Sequence, residues 1–80
     1  MSTLGERVQQ IREERGLNVT ETARLLNVSN GRLALLESGE IQALPWVSLV
    51  RFSIAFNVSL DWLAFGDEGR AAAMKGGEEE

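Results

Sequence analysis

A corner between two short helices constrains the fold of this chain more than any other feature. Leu26-Asn27-Val28-Ser29 separates two segments in which apolar residues recur at helical spacing. Asn27 stands where the first helix has to end, and asparagine tolerates a left-handed C-cap better than other non-glycine residues. Ser29 can then cap the next helix by accepting a backbone N–H. The sequence therefore predicts a helix, a tight turn and a second helix.

The segment around this corner resembles the helix-turn-helix of phage repressors, Cro proteins and related bacterial regulators. The resemblance extends from about Leu4 to Phe65 and is carried by the corner together with Asn18, Ala23, Leu33 and Glu37. It implies an all-α fold, a compact five-helix domain like that of lambda repressor, in which helices 2 and 3 form the helix-turn-helix. We identify residues 1–66 with this domain and residues 67–80 with an acidic C-terminal tail that we expect to be disordered.

The composition excludes several kinds of site. The 80 residues include neither cysteine nor histidine, which excludes disulfides, thiolate chemistry and zinc sites built from those ligands. The sequence shows neither the apolar core of a signal peptide nor a run as long as a membrane span. We therefore expect a cytoplasmic protein that is not an enzyme. We also expect it to bind no metal, cofactor, membrane or small-molecule ligand.

The charge is unusual for a nucleic-acid-binding protein, which is normally basic. The formal net charge is −4, but the residues before Asp67 contribute only −1 of it. A near-neutral domain can still bind DNA where its arginines share a face, because the local potential attracts phosphate. Such a basic stripe would consist of Arg7, Arg24, Arg32 and Arg51, and we expect Arg7 to be exposed to solvent.

The first helix is predicted by a capping box in which Thr3 and Glu6 satisfy each other's backbone N–H groups. Gly16 is expected to end this helix. The resemblance implies an ion pair between Arg12 of the first helix and Glu37 at the end of the third, which would tie the two helices together. The alternative is that both charges are simply exposed.

The resemblance implies that the third helix, from Asn30 to about Glu37, enters the major groove of double-stranded DNA. Asn30 suits adenine, and Arg32 suits guanine or a phosphate. The glycine inside the helix costs about 1 kcal/mol relative to alanine, which a close approach to DNA would explain. The expected base contacts are Asn30, Gly31, Arg32 and Leu35. The expected phosphate contacts are Asn18, Arg24, Ser29 and Arg51. The alternative is that Asn30 only assists the cap and Arg32 is only solvated.

Three positions depart from the family's pattern. Val19 stands where relatives often carry a glutamine that contacts the DNA backbone. Glu40 stands where a basic residue usually lies against phosphate, and a carboxylate there is repulsive. Pro45 also arrives later than the pattern expects. These departures weaken the argument for conventional operator binding.

The fourth helix, predicted over Trp46 to Phe56, is apolar around most of its circumference, with Ser48 among the few interruptions. An 80-residue domain is too small to bury both sides of such a helix alone, so a partner is implied. A short fifth helix, capped by Ser59, follows from Leu60 to about Phe65. We expect a homodimer with an interface near Val47, Val50, Ile54, Trp62 and Phe65. The alternative is that Trp46 and Trp62 cover the core.

Two functions remain open from the sequence. The first is a transcriptional regulator that binds an operator as a dimer, with its two third helices about 34 Å apart. The second is a protein-interaction module, antirepressor or antitoxin-like, whose fourth and fifth helices bind a regulatory protein partner. Asn30-Gly31-Arg32 and the intact corner favour the first function. Val19, Glu40 and the negative charge favour the second.

Overall fold

A computed structural model describes residues 2–67 of the chain. Within this range the helices are α1 (Leu4–Glu14), α2 (Val19–Leu26), α3 (Asn30–Ser38), α4 (Trp46–Phe56) and α5 (Leu60–Asp67), and there is no strand. The predicted all-α fold, with a helix-turn-helix formed by the second and third helices, is confirmed. The predicted tail lies outside the described residues from residue 68 onward.

Reciprocal capping boxes set the starts of the first two helices. The Thr3 N–H donates to Glu6 Oε1 at 2.9 Å, and the Glu6 N–H donates to Thr3 Oγ1 at 3.1 Å. Asn18 and Glu21 make the same pair of bonds at the start of α2, at 3.0 and 2.8 Å. The first box was predicted and is confirmed.

The corner between α2 and α3 has the predicted geometry. Asn27 is left-handed, with φ 60° and ψ 43°, and ends α2. The Val28 N–H then donates to the Ala23 carbonyl at 3.0 Å. Ser29 Oγ accepts from the Arg32 N–H at 3.0 Å and caps α3. Gly39, with φ 87°, ends α3.

The core lies where α1, α2, α3 and α4 meet. Ala23 is 1% exposed, and its small side chain suits a close crossing of two helices. The rings of Phe52 and Phe56 lie 4.5 Å apart at the centre of α4's inner face. Ser48 also lies on that inner face and is buried, although the sequence analysis placed it among the polar interruptions. The buried apolar residues are Leu4, Val8, Ile11, Ala23, Leu26, Leu33, Leu36, Leu44, Phe52, Phe56 and Leu63.

Gly5 allows α1 to approach α3 closely. A Cβ atom at Gly5 would clash with the carbonyl group of Leu36, whose carbon atom would lie only 2.7 Å away. The backbone of Glu37 would be 3.1 Å from the same atom. The absence of a side chain at Gly5 is therefore required by the packing of the two helices. The sequence carried a signal for this, because a glycine inside a helix is unfavourable without a packing reason.

The predicted exposure of Arg7 is wrong. Arg7 is 4% exposed, and its Nε donates to the Leu63 carbonyl at 2.9 Å. Its two terminal nitrogens donate to the carbonyls of Ala64, at 3.2 Å, and Ser2, at 2.6 Å. The C-terminal part of a helix attracts a cation, because the helix dipole concentrates negative charge there. Burial lowers the pKa of Arg7. The guanidinium therefore fixes α5 against α1.

The angle between α4 and α5 is 110°. Among residues 2–67 no single helix has the length and apolar character of a membrane span. Only α4 and α5 taken together, as a bent pair, reach that length and apolar composition.

Candidate nucleic-acid interface

One side of α3 faces solvent. Leu33 and Leu36 are fully buried and hold the opposite side against the core. At 100° per residue, the solvent side carries Gly31, Ala34, Leu35 and Ser38, all of which are exposed. We call these four residues the outer face of α3. Asn30 and Arg32 lie at its two edges and are exposed as well.

A residue of α2 holds Asn30 in place. Asn30 Nδ2 donates to Thr20 Oγ1 at 2.8 Å, so the first turn of α2 lies beside the first turn of α3. An amide nitrogen carries two hydrogens, and the carbonyl oxygen of the same amide accepts, so the group can bind a further partner while it stays bonded to Thr20. Sequence reasoning missed Thr20. The available signal was a hydroxyl side chain next to Val19. At the Val19 position relatives often carry a glutamine that steadies the side chains of the third helix.

Asn18 and Ser29 both serve as helix caps beside this contact. Asn18 Oδ1 accepts from Glu21 and Ser29 Oγ accepts from Arg32, so each side chain already has one partner. Two helix N-termini thus lie side by side, and each adds the partial positive charge and free N–H groups that anions bind. Both predicted phosphate contacts are therefore on the same edge as Asn30.

The guanidinium groups of Arg24 and Arg32 are free to bind a ligand. Both side chains are exposed, and within residues 2–67 neither forms a hydrogen bond or an ion pair. Arg24 is four residues after Thr20, so the two share one side of α2, the side that faces the start of α3. Arg24 and the two helix N-termini bring positive charge to this edge, where the Glu21 carboxylate of the α2 capping box also lies, and Arg32 stands at the opposite edge of the outer face.

The other arginines of the described range are bound internally. Arg15 donates to the Phe56 carbonyl at 2.7 Å and lies over the Phe56 ring at 5.5 Å. Arg7 is buried at α5, and Arg12 is bound to α3. A basic stripe of Arg7, Arg24, Arg32 and Arg51 would have favoured a regulator over an interaction module, but it is not formed, because Arg7 is inside the protein. This absence weakens the argument for a regulator.

Arg51 lies at the opposite end of α2 from Asn18. Its Nε donates to the Leu25 carbonyl at 3.0 Å, and the side chain borders a shallow groove with Leu25, Ile54 and Ala55. Leu25 is six residues after the start of α2, which is about 9 Å along the helix axis. The structure thus separates Arg51 from the edge that contains Asn18, Ser29 and Asn30.

Arg12 and Glu37 form the ion pair that the resemblance implied. Arg12 Nε and Nη2 donate to the two carboxylate oxygens of Glu37 at 2.8 and 3.0 Å, and Nη1 donates to the Leu17 carbonyl at 2.9 Å. The hydrogen bond to Glu37 raises the pKa of Arg12. The pair joins α1 to the end of α3 and so fixes the orientation of the outer face.

Glu40 lies beyond the C-terminal end of α3. Its N–H donates to the Leu35 carbonyl at 3.0 Å, and one carboxylate oxygen lies 3.4 Å from Ser38 Oγ. Arg32, by contrast, is in the first turn of the helix. The surface along α3 is therefore polarised, with cations at the N-terminal end and a carboxylate at the C-terminal end.

A second exposed surface, made of apolar residues, lies on α4 and α5. Ile54 is 76% exposed, and Val47 and Phe65 are also exposed, while Val50 is half-buried. Trp62 packs against the core, as the alternative interpretation held, but Trp46 does not cover it, because 70% of its surface is exposed. A groove of about 470 Å³ runs beside Trp46 and is lined by Trp46, Leu49, Leu60, Asp61, Ala64 and Phe65.

The arrangement of helices and corner agrees with a comparison to known families. A family model described as a helix-turn-helix domain matches residues 3–64. The chain belongs to this helix-turn-helix domain family. No curated protein and no solved structure matches it significantly. The match covers α1 to α4 and most of α5, so the helix-turn-helix domain includes the apolar surface as well as α3. Membership indicates a DNA-binding regulator.

Proposed function

We propose that this helix-turn-helix domain is a sequence-specific transcriptional regulator of the phage repressor and Cro type. It binds an operator in double-stranded DNA as a homodimer, through α3. The bond between Thr20 and Asn30 carries the proposal, because it gathers two helix N-termini at one edge of α3. Arg24 gives that edge a cation and Arg32 gives one to the opposite edge of the outer face, and neither guanidinium has an internal partner in residues 2–67.

The first turn of α3 supplies the base contacts. Asn30, oriented by Thr20, keeps a donor and an acceptor for the edge of adenine. Arg32 binds guanine or a phosphate from the flank of the helix. Gly31 supports a close approach, because a Cβ atom there would meet nothing within 4 Å and so the protein itself does not require a glycine. Leu35 contacts bases one turn further along.

Phosphates are bound at the start of α2 and α3. Asn18, Ser29 and Arg24 contact the DNA backbone there, together with the N–H groups of the helix N-termini. Val19 is half-buried and packs against the core, so it takes no part. Arg51 is left out of this set because its Nε is bonded to Leu25 at the other end of α2. Glu40 is kept from the phosphates by its place at the far end of α3.

The dimer forms through the apolar surface of α4 and α5. Trp46, Val47 and Ile54 are 70%, 53% and 76% exposed, and large exposed apolar side chains on one helix favour an interface with a second copy. A two-fold axis at this surface would present two copies of α3 to successive major-groove faces. Regulation then follows from operator occupancy, and we propose neither catalysis nor a cofactor.

A salt titration of affinity for random-sequence duplex DNA tests the proposal. Log affinity should fall linearly with log salt. The slope should become shallower by about 1 in Arg32→Ala and in Arg24→Ala, because each variant neutralises one phosphate fewer. Arg51→Ala is the matched control, because it removes the same charge from a guanidinium that is bonded within the protein. Equal slopes in all three variants, or no binding by the folded protein at low salt, would contradict the proposal.

A second candidate function is a protein-interaction module. The observation that favours it is the internal use of four of the six arginines in residues 2–67, which leaves little charge for phosphate. The groove beside Trp46 and Phe65 would then receive the partner. Two results together would establish this alternative. The folded protein would not bind duplex DNA, and a defined protein partner would slow amide hydrogen exchange in the residues that line this groove.

A further inference from the structure

The centre of α3's outer face lacks groups that can read a polar base edge. Gly31 and Ala34 have no functional group, and Leu35, 41% exposed, is apolar. Ser38 has a hydroxyl, but that hydroxyl donates to the Leu35 carbonyl at 3.0 Å. The other polar side chains, Asn30 and Arg32, lie at the edges. Ser38 keeps only an acceptor and is the last residue of α3, so beneath Gly31, Ala34 and Leu35 the helix offers no side-chain donor to the acceptors of guanine and no side-chain acceptor to the amino group of cytosine.

Thymine presents the one apolar group in the major groove, its C5 methyl. Gly31 and Ala34 let the helix backbone come close to the bases, and Leu35 then projects from the helix next to Gly31 and Ala34. We infer that the outer face reads thymine through this methyl group, with Leu35 as the principal contact and Ala34 as the second. The inference rests on the proposed function and specifies its ligand: a half-site with A·T pairs beneath the centre of α3.

The polar edge of the helix agrees with this assignment. Asn30 is held by Thr20, and the remaining donor and acceptor of its amide match N7 and N6 of adenine. Two neighbouring A·T pairs can therefore be read, through the adenine of one by Asn30 and through the thymine of the other by Leu35. Arg32 lies on the flank beside buried Leu36, at the side of the helix that meets the backbone of the groove wall.

The experiment begins with selection of bound duplexes from a random library by the full chain. Each thymine of the selected duplex is then replaced by uracil, which keeps the base pair and the adenine edge but removes the methyl group. We expect affinity to fall about fourfold for each contacted methyl, the loss that corresponds to one buried CH₂ group. In Leu35→Ala, uracil in place of the thymine that Leu35 contacts should cause no further loss of affinity.

Leu25→Ala is the matched control. Leu25 is 37% exposed, close to Leu35 in exposure, but it lies on the opposite side of α2 from Thr20, beside Ile54. Replacement of thymine by uracil should lower the affinity of the Leu25→Ala variant by the same factor as that of the original protein. Thermal unfolding of both variants establishes that each is folded when binding is measured.

The outcomes separate this inference from the function on which it rests. Selected duplexes with G·C pairs under the centre of α3, or equal affinity for thymine and uracil, would overturn the inference while sequence-specific binding stands. A uracil penalty that persists in Leu35→Ala would overturn the assignment to Leu35. Failure of the folded protein to enrich or bind any duplex would overturn the proposed function and this inference together.

Discussion

The guanidinium of Arg12 on α1 holds both carboxylate oxygens of Glu37 on α3, at 2.8 and 3.0 Å. Only 13% and 9% of the two side chains remain exposed. A two-point contact of this kind fixes direction as well as distance, because the planar guanidinium and the carboxylate must lie edge to edge. The same guanidinium donates to the Leu17 carbonyl just before α2. One side chain therefore relates three helices, including the helix that we propose to read DNA.

Removal of this contact should destabilise the domain. We expect Arg12→Ala to lower the free energy of unfolding by about 2 kcal/mol, between the values typical of exposed and buried ion pairs. Arg12→Lys should recover little of the loss, because an ammonium group cannot make the two parallel bonds. Urea unfolding followed by circular dichroism provides the measurement. An Arg12→Ala variant with the same urea midpoint as the original protein would contradict the expectation.

Two glycines should respond in opposite directions to the same change. Gly5→Ala forces a methyl group into the Leu36 carbonyl and should destabilise the domain by about 2 kcal/mol or more. Gly31→Ala places its methyl in open space and should stabilise α3 by about 1 kcal/mol. The unfolding midpoints of the two variants provide the comparison. A loss of stability in both would show that Gly31, like Gly5, is required by the packing of the protein.

Gly31→Ala should also separate stability from binding. We propose that Gly31 permits close approach to DNA, so the stabilised variant should bind its operator several-fold more weakly. Affinity is measured by fluorescence anisotropy on the selected duplex. Unchanged or tighter binding would show that the absence of a side chain at Gly31 is not needed for the complex.

A charge on α4 should dissociate the proposed dimer. Ile54 is 76% exposed in the single chain, so Ile54→Lys costs little in the monomer but buries a cation in the dimer. We expect sedimentation velocity to report a monomer, and affinity for a two-site operator to fall about a hundredfold because avidity is removed. Gln10→Lys, which adds the same charge on exposed α1, is the control. A dimer that persists in Ile54→Lys would place the interface elsewhere.

The capping box of α1 should make stability depend on pH. The Thr3 N–H donates to the Glu6 carboxylate and lowers the pKa of Glu6 below its usual value of about 4.5. A lowered pKa in the folded state means that the stabilisation is present above the usual value and is lost as the pH falls through the folded value. Glu6→Gln keeps an acceptor that does not titrate. The unfolding temperature of the original protein should therefore fall more steeply below about pH 4.5 than that of the variant.

The features that could be predicted from the sequence involve residues close together in the chain. The caps at Thr3, Asn18 and Ser29, and the left-handed turn at Asn27, depend on partners three or four positions away. Helical spacing also predicts which residues face the core. The Arg12–Glu37 pair spans 25 positions and followed only from the family resemblance.

The features that were missed depend on contacts between distant segments. A glycine inside α1 indicates close packing at Gly5 but not that its partner is the backbone of α3, and nothing in the sequence indicates that Arg7 meets the end of α5. The bond from Asn30 to Thr20 is similar, because it exists only once the corner has set α2 and α3 side by side. An arginine in an amphipathic helix is normally exposed, and only tertiary contact with helix carbonyls reverses that expectation.

The bond between Arg7 and the Leu63 carbonyl joins positions 56 residues apart, almost the whole length of the domain. During synthesis from the N-terminus, the cation of α1 has no such partner until α5 has been made. The helix-turn-helix itself is complete much earlier in the chain. A nascent chain that ends before α5 therefore lacks the carbonyl groups that the buried Arg7 guanidinium binds. We expect the domain to reach its full stability only after α5, the last helix within residues 2–67, has been synthesised.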